Sequence, residues 1–407
     1  MLDAQSKLLS RSCRVLAALA LLIGAGSVVA SEPYRPSDDT VVLLTVPASD
    51  DPDEVALRRL RAARDRAPES VEAATAFARK AIEIGRQRGE PRYMGYAEAV
   101  LAPWRGDGAP VAVRVLRATL AQHRHAFDEA LRMLDAVLVA EPANAQARLT
   151  RAVIHTVQGR PREALRDCAG LLGRVSPLVL ATCTASASRL MPAPTTARQL
   201  LATELSRAAT APSTERLWAL TVQAELAEQR GDPETEAAFR AAMAEASASA
   251  PDPYLLYAYA DFLLAAGRVR DAHALLAPHA GLDGAELRLA IAERRWPTAD
   301  ARVAEALARR VERIQAGVDE VRLRGEAPHL RELARFQLDV MADPGAALAV
   351  AQDNWRTQRE PSDALLLLRA ADAAGQPAAA QPVRDWMTTT GIDDVRLQAA
   401  AARLERQ

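Results

Sequence analysis

VAVRVLRATLAQHRHAFDEALRMLDAVLVAEPANAQARLTRAVIHTVQGRPREALRDCAGLLGRVSP, residues Val111–Pro177, is the stretch on which the fold turns. Within it Asp128-Glu129-Ala130-Leu131 is echoed by Arg162-Glu163-Ala164-Leu165, and Ala164 follows Ala130 by 34 residues. Pro142 and Pro177 close the two units. Ala147, Ala152 and Gly159 fall where a helix-turn-helix needs small residues. Two helices that cross closely leave no room for a larger side chain, and glycine ends a helix where φ turns positive. Self-similarity at a fixed period is the mark of a repeat architecture.

The same features recur outward from this core. Pro253–Glu286 carries Leu256, Tyr259, Ala260, Leu263, Gly267 and Ala272 at matching places, and Leu217–Ser249 carries Ala224, Gly231, Phe239 and Ala242. Looser copies run through His329–Pro361 (Ala334, Ala347) and Pro361–Thr390 (Gly375, Ala380). Val71, Phe77, Ala81 and Ile84 are helically spaced ahead of a Gly89-Glu90-Pro91 turn, which suggests an N-terminal unit. Val303, Leu307, Val311, Ile314 and Val318 describe one long amphipathic helix that does not fit a 34-residue unit. Asp393–Arg406 reads as a terminal helix covering the last apolar face of the stack. In period and in these small-residue positions the chain resembles the tetratricopeptide repeat family. The resemblance implies an all-α, right-handed α-solenoid of antiparallel helix pairs and a role in holding a protein or peptide.

The composition agrees with helix. Alanine, leucine, arginine and glutamate dominate, and these lose little freedom in a helix. With 51 basic and 52 acidic residues, the chain has no general electrostatic pull toward nucleic acid.

Residues 1–30 read as a secretory signal: Lys7, Arg11 and Arg14 precede the uncharged run Val15–Val29, and Val28-Val29-Ala30 suits cleavage after Ala30. Fifteen apolar residues are short for a membrane span of about 20, so the competing reading, a retained anchor, is disfavoured. Nothing later is apolar enough to insert, and the expected location is the periplasm or the medium. Residues 31–50 form an extended or disordered leader in which Val41–Val46 is the only β-like run. Residues 51–210 then make an N-terminal helical array, and residues 211–407 a C-terminal array with its capping helix.

Chemistry-bearing patterns are missing. None of the six histidines belongs to an H-E-x-x-H or Cys/His ligand set, and His123 and His125 are too close along a helix to share a face. No nucleophile elbow or phosphate loop occurs, and the carboxylates alternate with arginines as on solvated faces. No catalytic residue, cofactor or metal is expected. After cleavage two cysteines remain, Cys168 and Cys183, on successive helices in an oxidising compartment. They are either a disulfide between neighbours or two buried thiols.

By the family resemblance, positions 2, 5, 9 and 12 of each unit face a concave groove. These are Gln146, Leu149, Val153 and Thr156; Trp218, Thr221, Glu225 and Glu228; and Tyr254, Tyr257, Asp261 and Leu264. Position 6 holds Thr150, Val222 and Ala258, so the Lys/Asn carboxylate clamp of some family members is absent. Arg92, Tyr93, Tyr96 and Trp104 crowd a further cluster that is either a contact patch or a cap. The reading that follows is a non-catalytic scaffold outside the cytoplasm binding a protein or peptide. The alternatives are a structural or self-associating envelope component, or an enzyme with scattered catalytic residues.

Overall fold

A computed structural model describes residues 36–38, 40–42, 44, 49–106, 108–192, 195–246, 252–297, 300–325 and 328–406. The chain divides into two compact units, Met1–Asp50 and Asp51–Gln407. In the first, the signal reading of residues 1–30 lies outside the described residues, as do positions 43, 45 and 46 of the β-like run. Its described residues form neither helix nor strand, and Asp38 accepts the backbone N–H of Thr40 at 2.8 Å.

The second unit is helical throughout its described length. Its helices are α1 (Pro52–Arg66), α2 (Val71–Arg88), α3 (Arg92–Leu101), α4 (Val111–His123), α5 (Phe127–Ala140), α6 (Ala145–Val157), α7 (Pro161–Ala169), α8 (Pro177–Ser188), α9 (Thr195–Arg207) and α10 (Ser213–Arg230). They continue as α11 (Thr235–Glu245), α12 (Pro253–Ala265), α13 (Val269–Leu276), α14 (Asp283–Arg294), α15 (Ala301–Leu323), α16 (Leu330–Arg335), α17 (Pro344–Trp355), α18 (Pro361–Ala373), α19 (Gln381–Thr390) and α20 (Val395–Leu404).

Local chemistry sets many of the starts. Asp51, Ser70, Asn144, Ser176, Asp252, Asp300, Asp343 and Asp394 each accept an otherwise orphaned amide of the first turn. Proline stands at the start of α1, α7, α8, α12, α17 and α18, where its missing N–H costs nothing.

Consecutive helices pack against each other in sequence order, α2 on α3, α4 on α5, α6 on α7, and so on to α18 with α20. The small residues singled out in the sequence sit at the closest approaches. Ala147, Ala164, Ala224, Ala242, Ala260, Ala272, Ala334, Ala347 and Ala380 have no exposed surface. Phe239, Tyr259 and Phe262 stack across the α11–α12 junction. Leu307, Val311, Ile314 and Val318 lay the 23-residue α15 along the core of α10–α14, so the break in the 34-residue stride is one long second helix. Leu397 and Leu404 press α20 onto α18 and end the stack. Residues on either side of 210/211 belong to the same unit, with α9 packed on both α8 and α10.

The array also meets itself at long range. The N–H of Arg359 donates to the carbonyl of Val157 at 2.7 Å, which joins the turn before α18 to the end of α6. Helix α2 touches α12, and α10 touches α20. At the first of these joints Gly159 has φ +70°, and a Cβ there would lie 2.7 Å from Trp386 Nε1 and 2.8 Å from Arg359 Cβ. Cys168, on α7, and Cys183, on α8, are bonded through their sulfurs, with Cα atoms 5.7 Å apart.

Two outcomes follow from this packing. Gly159→Ala forces a left-handed backbone on a residue with a Cβ and pushes on Trp386 or Arg359. It should cost about 2 kcal/mol and lower the melting temperature by roughly 3 °C; an unchanged melt would mean that the joint is not formed in solution. Thiol titration of the unfolded, unreduced chain should find neither Cys168 nor Cys183 free, and reduction should lower stability by roughly 3 kcal/mol for a loop of this length.

Candidate inner wall of the helical array

The first helices of the successive pairs (α8, α10, α12, α14, α16 and α18) line one side of the array. Their apolar faces are consumed by stacking, so charged and aromatic side chains remain on that side. Arg189, just past α8, reaches Glu225 on α10 and lies 3.5 Å from Glu360. Glu225 also accepts the phenolic hydroxyl of Tyr254. Glu228, one turn on, pairs with Arg396 of α20 at 2.7 Å. Asp261 of α12 is the centre of the set. Arg288 donates two N–H groups to it at 3.0 and 2.7 Å, and Arg335 two more at 2.8 Å each. Arg288 continues to Glu332 at 3.0 Å and lies 4.6 Å over the ring of Tyr257. Arg331 grips Glu360 at 2.7 Å and the fully buried Asp363, which also accepts from Asn354 at 2.7 Å.

The electrostatics follow from this enclosure. Burial would raise the Asp261 carboxyl, but Arg288 and Arg335 outweigh it and hold the pKa at about 2. For Glu228 burial outweighs Arg396, and its pKa is raised. Burial raises the Tyr257 hydroxyl to about 12. His125 sits where the α4–α5 turn meets the turn before α18. Its Nδ1 lies 3.4 Å from Gln358 Nε2, and its ring is 5.5 Å from Phe127 and 5.3 Å from His329. Burial first, then the nearby His329 and Arg331, push its pKa down to about 4. These displaced values trace to ion pairing and burial within the packing. Among the described residues no group of three or more His, Cys, Asp or Glu is placed to hold a metal ion. Small cavities lie elsewhere in the array: one of about 140 Å³ between α3, α4 and α5, bordered by Glu98, Arg117 and Arg124, and one of about 370 Å³ bordered by His125, Phe127 and Arg160.

The residues expected on the groove divide in two. Glu225, Glu228, Tyr254, Tyr257 and Asp261 stand together on the inner wall, and Tyr254 keeps 51% of its surface open. Gln146 is exposed and donates to Thr150 Oγ1 at 3.1 Å. Leu264, Thr156 and Thr221 are buried instead. Leu264 belongs to the core around Phe239, and the two threonine hydroxyls donate to carbonyls a turn earlier, Ala152 at 2.9 Å and Leu217 at 2.8 Å. Trp218, half-buried, fills space between the cores of α6–α8 and α8–α10. Leu149 packs on the first of these cores, and Val153 is half-buried. The expected long open groove is therefore crossed by ion pairs from α16, α18 and α20. In the N-terminal aromatic cluster, Tyr93 is buried and bonded to Glu54 of α1, which ties α1 to α3, and Trp104 packs on the same core; Tyr96 remains exposed.

No family model and no curated protein matches the chain. Among solved structures it is similar to the tetratricopeptide domain of P58(IPK), with 16% identity over 81% of this chain and 97% of that one and a TM-score of 0.23. It is also similar to yeast Tom70, with 9% identity over 86% and 88% and a TM-score of 0.28. Likenesses this distant carry no functional argument.

The fold is tetratricopeptide-like. That statement rests on the helix pairs, the buried alanines at their crossings and the stride, as in the 34 residues from the start of α4 at Val111 to the start of α6 at Ala145.

Removing Asp261 leaves the buried Arg288 without its main counter-charge. Asp261→Asn should cost about 3 kcal/mol, read by denaturant unfolding; a loss below 1 kcal/mol would show that the pairs are not formed. The pH dependence has two steps. The folded chain keeps His125 neutral to about pH 4, whereas the unfolded chain protonates near 6.5, so stability should fall as pH drops through that window. A second loss should follow between about pH 4 and 2, where unfolded carboxylates protonate before Asp261 does. His125→Gln should diminish the first step, leaving the part due to the half-buried His123 and His155, and spare the second.

Proposed function

We propose that this chain is an exported, non-catalytic scaffold that binds a protein or peptide partner along the inner wall of its helical array. The observation that carries the reading is the wall itself. Successive first helices spend their apolar sides on stacking, and two of them, α10 and α12, align Glu225, Glu228, Tyr254, Tyr257 and Asp261 on what remains. Extended surfaces of this kind are what solenoids use for binding. Tyr254, half-open and hydrogen-bonded at its tip, has the form of an interface anchor, with an apolar ring and a polar end. Export is supported by the basic n-region, the apolar run and the cleavage-suited Val28-Val29-Ala30, together with a bonded cysteine pair of the kind that persists in oxidising compartments.

The test is capture of partners from an envelope extract by the purified chain, repeated with Tyr254→Ala. Tyr254→Ala should reduce the capture of a specific partner at least tenfold while leaving the melting temperature unchanged. Trp218→Ala serves as the control that lowers stability, because Trp218 packs between cores. Capture that is indifferent to Tyr254, or no specific capture at all, would defeat the assignment of the wall.

A further inference from the structure

Where the turn before α18 meets the α4–α5 and α6–α7 turns, the side chains form a directional chain of hydrogen bonds. Asp363, a buried carboxylate gripped by Arg331, can only accept, and Asn354 Nδ2 donates to it at 2.7 Å. That orients the Asn354 amide, whose Oδ1 accepts from Gln358 Nε2 at 2.9 Å. Gln358 Nε2 in turn faces His125 Nδ1, 3.4 Å away on the α4–α5 turn, with its second N–H. Asn354 and Gln358 are both buried, and flipping either amide would set oxygen against oxygen at one link of the chain. The chain therefore closes only on an imidazole whose Nδ1 carries no proton. In an imidazolium both ring nitrogens are donors, and Nδ1–H would face N–H.

The surroundings offer that second proton little reward. His123 from α4, and His329 and Arg331 from α16, face His125 with charged or protonatable nitrogens, and Arg160 and Arg356 border the same cavity. Among the carboxylates, Glu360 faces the ring but is held by Arg331 at 2.7 Å, Asp128 is exposed, and Glu129 lies 4.0 Å from Arg124. The lowered pKa of His125, about 4, agrees with this geometry; a hydrated ring would return to about 6.5. The cavity of about 370 Å³ where the three turns meet keeps the half-buried ring within reach of solvent protons. The turn held here also carries Glu360, which lies 3.5 Å from Arg189, so its release is felt by the charges of the inner wall.

We propose that His125 is an acid-sensitive latch on the joint between the turn before α18 and the α4–α5 and α6–α7 turns. Neutral, it completes the chain to Asp363 and holds the array shut. Protonated, it breaks the chain, and the turn before α18 parts from the other two while the stacked pairs stay folded. Acid thereby opens a way to the inner wall. The latch adds regulation to the scaffold reading, and it is measured with no partner present, so a failed latch leaves that reading standing.

The experiment is hydrogen–deuterium exchange of the purified full chain at pH 7.5 and pH 5, corrected for the intrinsic pH dependence of exchange. The Arg359 amide, bonded across the joint to the Val157 carbonyl, is read through residues 356–360. Its protection should fall roughly thirtyfold at pH 5, the change that follows from a closed-state pKa of about 4 and an open-state value near 6.5. Protection of α12 should stay within threefold. A loss below threefold at the joint would overturn the proposal. So would an equal loss in α12, because the joint would then open only with the whole unit. His125→Asn suits the left-handed backbone at this position, φ +59°, and takes no proton, so it should hold the loss under threefold. His155→Gln, which lies beside Asp167 and away from the joint, should leave the thirtyfold loss in place. A loss that survives His125→Asn would overturn the latch. Should His125→Asn not fold, nitrogen-15 NMR of the unaltered chain at pH 7.5 decides: a bare Nδ1 on His125 is the expected tautomer, and a protonated Nδ1 would overturn the chain of donors on which the latch rests.

Discussion

Every element of the long unit depends on one packing constraint. A helix pair has an apolar side that its own two helices cannot cover, so the next pair must cover it. The constraint acts through side-chain size. Ala152, Ala164, Ala224, Ala242, Ala260 and Ala272 are almost wholly enclosed, and a larger residue at any of them would push two helix axes apart. Larger side chains lock each junction between those crossings, as Phe239 does with Tyr259 and Phe262. The ends need separate solutions. At one, Leu397 and Leu404 fold α20 over α18; at the other, Tyr93 and Leu57 bind α1 to the α2–α3 pair.

Stacking leaves the inner wall polar, and an enclosed polar wall has to balance its charges. Removing a carboxylate and a guanidinium from water costs several kcal/mol each, and the cost is offset only by good geometry with further hydrogen bonds. Asp261 meets that requirement with four N–H donors from two arginines, and Asp363 meets it with Arg331, Asn354 and the amide of Glu360. Because Arg335 comes from α16 and Arg396 from α20, the same pairs that neutralise the wall fix the register between helices far apart in sequence.

The repeat was legible because its signals are local. Ala130 and Ala164, or Gly159 and the proline after Arg160, specify a crossing and a turn with no knowledge of the rest of the chain. The long α15 was legible as a helix from its apolar spacing, although not as the second member of a pair. The wall was half legible. A fixed register places Glu225, Glu228, Tyr254 and Asp261 on the inner side, but it assumes that each first helix is rotated alike. Small rotations bury Thr156, Thr221 and Leu264 instead, and nothing in the sequence reports a rotation. The partners Arg288, Arg331, Arg335 and Arg396 were missed because they lie outside the clearest repeats, and for Arg335 and Arg396 also because a pair formed 74 or more residues apart, as Arg335 is from Asp261, leaves no periodic trace. Arg331 and Arg335, four residues apart on α16, were the available signal.

Contacts between remote pairs change how such an array responds to load. In a simple solenoid each repeat knows only its neighbours, and stability is a sum of local terms. Here the α6–α7 turn meets the turn before α18 through Arg359 and Val157, and α10 meets α20 through Glu228 and Arg396. These joints consist of one main-chain hydrogen bond and a few partly exposed ion pairs, each worth about 1 kcal/mol or less. The stacking interfaces consist of fully buried aliphatic and aromatic side chains, each contributing roughly 1.5–3 kcal/mol. The joints are therefore the weak seams of the unit. Anything that enters along the inner wall has two courses open to it: to fit the space that the paired charges leave, as around Tyr254, or to part the seams while the stacks stay intact. A ligand that took the second course would break the seam contacts and leave the stacks, and its binding would then be coupled to opening of the array.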